Sequence, residues 1–265
     1  MRFIMMHKAD TASEAGIKPS HELIFKMGEL IEEMAAAGAF LAGEGLQPSS
    51  KSVRLKFSQG KRTVTWGPLR GSNELVANFA VVQAGSIDEA IEWASRYGKI
   101  VGDVEIDIGL VNEPWDIGLG SKPEGHVARY LIMHKADQNS EAGIPLSLEK
   151  ESELQRLIEE MRSAGALLSA ECIQPSSKGV RLKFAGSKRI VVDGPFTESK
   201  ELIGGYCIAQ VKLKEEAIEW ASRFAKLLGD SREDAEVEVD VRPLDEAWDF
   251  ASNTAHPAHE PSKRI

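Results

Sequence analysis

Met6-His7-Lys8-Ala9-Asp10 returns as Met133-His134-Lys135-Ala136-Asp137, 127 positions further along the chain. Gln47-Pro48-Ser49-Ser50-Lys51 returns at the same displacement as Gln174-Pro175-Ser176-Ser177-Lys178, and Ala90 to Arg96 returns as Ala217 to Arg223. Aligned without a gap, residues 6–97 and 133–224 share 49 of 92 positions. A repeat of this length is domain-sized, far above the roughly 20–50 residues of solenoid and propeller repeats. The 265 residues therefore divide into two related units: 1–111, a linker 112–126 rich in Gly and Pro, 127–250, and a tail 251–265 without periodicity that reads as disordered.

Composition narrows the function classes. The net charge of −9 argues against a general nucleic-acid or anionic-membrane surface. The opening Met1 to Lys8 is too short an apolar run for a signal peptide or a span, so the sequence reads as cytoplasmic with no membrane association. Cys172 and Cys207 stand where the first copy has Gly45 and Ala80, which suggests small buried positions rather than a disulfide or metal framework.

The pattern of each copy reads β-α-β-β-β-α-β. Phe3–His7 and Tyr130–His134 are short apolar runs without alternation, as expected of strands covered on both faces. Ser20 and Ser147 are N-caps of helices whose apolar residues recur at helical spacing up to Gly38 and Gly165. Val53-Arg54-Leu55-Lys56-Phe57 and Val180-Arg181-Leu182-Lys183-Phe184 alternate strictly, so half-buried strands are expected. Strands at 62–66, 76–84 and 104–111, with counterparts at 189–193, 203–211 and 237–241, complete each unit around a second helix. This is an α+β plan with both helices on one sheet face. The uncovered faces of two such units are buried most simply against each other, as in a dimer tied into one chain.

The run Val191-Val192-Asp193-Gly194-Pro195-Phe196-Thr197-Glu198-Ser199-Lys200-Glu201, followed by Gly204-Gly205-Tyr206, resembles the signature of the YCII-related, or DGPF-domain, family. Glu14-Ala15-Gly16, Gly43-Glu44-Gly45-Leu46 and the two Glu-Ala-Ile-Glu-Trp helices are similar to it as well. The resemblance implies two ferredoxin-like units packed as a pseudo-dimeric α+β barrel. It implies little about a reaction: some relatives are thought to use a His/Asp pair, and some DGPF proteins travel with extracytoplasmic-function sigma factors. In the first copy the motif reads Trp66-Gly67-Pro68-Leu69, and the Gly-Gly pair becomes Ala77-Asn78. The acid is lost there, which directs attention to the second half.

Asp193 precedes Gly-Pro, where it acts either as a turn residue accepting local N–H groups or as a carboxylate at a pocket mouth; the residues favour the turn. His7 and His134 end the first strand of each copy and suit proton transfer, with a satisfied strand-end histidine as the plainer reading. Lys8 and Lys135 follow them and would neutralise an anionic ligand or lie along the surface. Glu44 and Glu171 stand among small and apolar residues and need a cation, which Arg54 or Arg181 could supply in a structural ion pair. Trp66 could line or plug the cavity of the first half.

There is no phosphate loop, nucleophile elbow or metal-ligand spacing, and no cofactor is implied. The leading expectation is a small organic molecule bound between sheet and helices, with acid–base chemistry by Asp193 and His134 in the second half. Lys135, Glu171, His7, Lys8, Glu44 and Trp66 are the expected binding residues. The alternative is a non-enzymatic partner, for example of a sigma factor. Association of the fused chains beyond the internal pseudo-dimer is left open.

Overall fold

The computed structural model describes residues 1–71, 73–185, 188–196, 199, 201–231 and 236–246. The expected disordered tail, Trp248-Asp249, where Trp115-Asp116 recurs in the sequence, and residues 232–235 of the charged stretch 230–236 lie outside the described residues.

The first copy runs β1 (Arg2–Lys8), α1 (Thr11–Glu14), α2 (His21–Ala36), β2 (Phe40–Gly45), β3 (Val53–Ser58), β4 (Lys61–Trp66), β5 (Val76–Ala84), α3 (Ile87–Val101) and β6 (Val104–Leu110). The second runs β7 (Ala128–Lys135), α4 (Gln138–Glu141), α5 (Leu148–Ser163), β8 (Leu167–Cys172), β9 (Val180–Ala185), β10 (Lys188–Asp193), β11 (Ile203–Gln210), α6 (Lys214–Asp230) and β12 (Glu236–Pro243). Ser20 and Ser147 cap α2 and α5 by accepting from Leu23 N–H and Lys150 N–H. Each copy therefore supplies six strands rather than the expected five. The additional ones, β2 and β8, are edge strands, the first half-buried and the second mostly exposed, and carry no alternation to betray them. At that edge Cys172 is exposed as a residue, although its thiol is desolvated; both cysteines are free.

The strands form two antiparallel six-stranded sheets. One has the order β10-β9-β12-β1-β11-β2 and the other β4-β3-β6-β7-β5-β8. Each sheet takes four strands from one copy and two from the other: β1 lies between β12 and β11, and β7 between β6 and β5. The chain crosses between sheets at the two Gln-Pro-Ser-Ser-Lys turns, as 3₁₀ turns at Ser49–Lys51 and Ser176–Lys178. One sheet is thus a continuous stretch of chain, 53–172, and the other is assembled from both ends.

Side-chain alternation distributes the core into three layers. Phe3, Met5, Val180, Leu182, Val239 and Val241 pack beneath α2 and α6. Val53, Leu55, Ile106, Ile108, Tyr130 and Ile132 pack beneath α3 and α5. Between the sheets, Ile4, Met6, Tyr206 and Ile208 meet Phe79, Val81, Leu131 and Met133. The non-alternating first strands are explained by this arrangement: Phe3 and Met5 face helices while Ile4 and Met6 face the opposite sheet, so both faces of β1 are dry.

Candidate functional site

The signature loop is first a packing device. Glu14 accepts hydrogen bonds from Ser49 N–H and its hydroxyl, and Leu69 N–H donates in turn to Ser49 Oγ, 3.1 Å. Glu141, Ser176 and Phe196 repeat the same chain of contacts in the other half. A Cβ on Gly67 would lie 1.8 Å from the Ser49 carbonyl oxygen, and one on Gly194 1.8 Å from that of Ser176. Glycine is required there because the loop rests on the crossing turn. Asp193 ends the exposed edge strand β10, and Trp66, its counterpart at the end of β4, is 57% exposed. Trp66 projects outward and plugs no cavity. Phe196 places its ring 4.4 Å from the Arg181 guanidinium.

Consecutive residues on β7 look in opposite directions, and this separates His134 from Lys135. Lys135 points between the sheets and bonds the carboxylates of Asp107, 2.8 Å, and Glu74. Arg54 joins the same group, donating to Asp107 at 2.6 and 2.7 Å and to Glu74 at 2.9 Å. Glu74, Asp107 and Lys135 are deeply buried, Glu74 to 1% exposure, and Arg54 is partly buried. Burial, with Arg54 and Lys8 close by, pushes the Lys135 ammonium well below its ordinary value. The other half holds Lys8, Asp240 and Arg181 in the equivalent places, with Lys8 3.0 Å from Asp240. There Glu201, the counterpart of Glu74, is exposed. These lysines belong to internal ion clusters rather than to the surface.

His134 faces the helix layer instead. Its Nδ1 is 2.6 Å from Tyr97 Oη and 3.0 Å from Asn78 Nδ2, while Tyr97 Oη lies 3.2 Å from Asn78 Oδ1. With the Asn78 amide so oriented, Nδ2 can only donate; Nδ1 is therefore an acceptor and the ring proton sits on Nε2. Burial lowers the His134 pKa from 6.5 to about 4, so the ring is neutral near pH 7. Nε2 has no protein partner among the described residues and is not sealed from solvent. His7 occupies the equivalent place without these partners. Its ring lies over Gly204 and Gly205, where added Cβ atoms would come within 2.8 and 2.7 Å of it, and 5.3 Å from Phe224. Burial and then Lys8 lower its pKa to about 4 as well. The polar triad is thus composite: His134 comes from the second copy, Asn78 and Tyr97 from the first.

The remaining expected residues lie elsewhere. Glu44 pairs with Arg129 at 2.5 Å and Glu171 with Arg2 at 2.6 Å, each tying one sheet to the other. The expected partners were Arg54 and Arg181, but those guanidiniums are already held by Asp107 and Asp240. Asp193 and His134 stand in different sheets, and Glu171 joins neither. Asn78 and Tyr97 escaped the sequence reading because their departures from Gly205 and Phe224 were visible but the partner across the copies was not. Among the described residues, no three His, Cys, Asp or Glu side chains are grouped to hold a metal ion, and no helix is long and apolar enough to cross a membrane.

A model of the YCII-related domain matches residues 1–100 and, separately, residues 128–237. The chain belongs to the YCII-related family. No curated protein and no solved structure matches it. The two YCII-related domains follow the sequence repeat, whereas the sheets cut across it, since each domain gives its first two strands to the sheet of the other. Any site at the end of β1 or β7 in this YCII-related protein is consequently built by both domains.

Proposed function

We propose that this YCII-related protein binds a small organic molecule through His134, with the neutral imidazole donating its Nε2 proton to a ligand oxygen. The observation that carries this reading is the hydrogen-bonded Tyr97–His134–Asn78 group, which fixes one tautomer on one side of a pseudo-symmetric pair. A neutral histidine with its second nitrogen satisfied orients and polarises a carbonyl or carboxylate oxygen without carrying charge. Acid–base chemistry at such a site would be a relay, in which Nε2 gives its proton to the ligand as Nδ1 takes the Tyr97 hydroxyl proton. The reading treats the two sheets as halves of a pseudo-dimeric α+β barrel, an arrangement supported by the apolar layer that they share.

Ligand-observed NMR with a panel of small carboxylates and ketones tests this. Binding to the wild type that disappears in His134→Gln and weakens in Tyr97→Phe is expected. A panel that binds equally well to His134→Gln, or not at all to the wild type, removes the basis of the reading.

A further inference from the structure

The two halves differ most sharply at one inward position of their last strands. Arg242 on β12 is 2% exposed, and each nitrogen of its guanidinium donates a hydrogen bond. It donates to the Gln174 carbonyl at 3.1 and 2.5 Å, to the Val76 carbonyl at 2.6 Å and to Glu141 Oε1 at 3.2 Å. The matching position on β6 is Gly109, as the shared pairing of Asp107 with Arg54 and of Asp240 with Arg181 shows. The counterparts of the three acceptors are Gln47, Ile203 and Glu14, and these residues line a cleft at Gly109 together with Asp107 and Ser49. Glu14 grips Ser49 as Glu141 grips Ser176, but among the described residues no guanidinium pairs with it. Asp107 is already matched by Arg54 and Lys135, so Glu14 supplies the negative charge that the cleft leaves uncompensated.

We infer that the cleft at Gly109 is a binding site for the cationic head of a small organic molecule, an ammonium or guanidinium group, which takes the seat that Arg242 fills in the other half. This site is separate from His134, which faces the opposite side of the sheet. Buried carboxylates accept most strongly from ionised donors, and a planar guanidinium matches two carbonyls and a carboxylate at once. The free volume is about 20 Å³, close to that of one water-sized group. An ammonium enters it directly, and a guanidinium enters when Leu46, whose methyl carbons stand 3.2–3.3 Å from where a Gly109 Cβ would be, turns aside.

The test is a titration of the full chain with methylammonium and methylguanidinium chlorides, with urea as the neutral control, followed by amide NMR shifts at Glu14, Ser49 and Gly109. Saturable shifts with at least one cation and none with urea are expected. Gly109→Arg carries its own guanidinium into the seat and should lose the saturable response, while Glu14→Gln should weaken it roughly tenfold or more. If Gly109→Arg does not fold, Glu14→Gln decides the matter alone. A wild type that shows no saturable shift with either cation, or a Glu14→Gln variant that binds like the wild type, overturns the inference.

Discussion

Replacing Gly194 by alanine should destabilise the protein by about 2–4.5 kcal/mol. A Cβ there would stand 1.8 Å from the Ser176 carbonyl oxygen and 2.6 Å from its carbon, where tolerable contacts begin near 3.0 Å. Neither neighbour is a flexible side-chain end, so two backbone segments must part by more than 1 Å. That movement pulls on Gly194 N–H→Gly179 O, 3.1 Å, and on Phe196 N–H→Ser176 Oγ, 3.0 Å. Each hydrogen bond is worth about 1 kcal/mol net, and overpacking adds about 1–3 kcal/mol. The reduced freedom of the unfolded chain returns only about 0.4–1 kcal/mol. Equilibrium urea denaturation measures the effect, with Asp193→Ala as the exposed neighbour that should stay within about 0.5 kcal/mol of the wild type. A Gly194→Ala variant as stable as Asp193→Ala would refute the view that the Asp-Gly-Pro-Phe signature is held by packing on the crossing turn.

Both strand-end histidines make stability depend on pH. Their folded pKa values, about 4, lie below the ordinary 6.5, so the unfolded chain takes up protons first as pH falls. Their contribution is complete above pH 6.5, declines toward about pH 4 and reaches about 3 kcal/mol per histidine, which denaturation midpoints across that window should show. His7→Gln should flatten about half of the decline. Glu74→Gln strips a carboxylate from a buried cluster with two cations and should cost about 3 kcal/mol, whereas the exposed Glu201→Gln should cost less than about 1 kcal/mol. Calorimetry of the two variants side by side checks the difference.

The repeat made the two-unit α+β plan legible, and alternation located β3 and β9 to within one residue. The exchange of strands was not legible. Nothing in Met5-Met6-His7 says whether its neighbour will be the last strand of its own copy or of the other, because both last strands present the same apolar pattern. The same blindness affected the site. In sequence, Trp66 for Asp193 and Asn78 for Gly205 are only departures of the first copy from the signature. With β7 lying beside β5, Asn78 and Tyr97 become a gain for His134. The need for Glu14 and for Gly67 likewise depends on a turn that is distant in sequence, and only the fold brings them together.

The most direct test of the account is the protonation of His134, followed by imidazole ¹⁵N NMR across pH. The Tyr97–His134–Asn78 group predicts the Nε2–H tautomer with a pKa near 4 in the wild type. A ring that carries its proton on Nδ1, or that titrates near the ordinary 6.5, would contradict it.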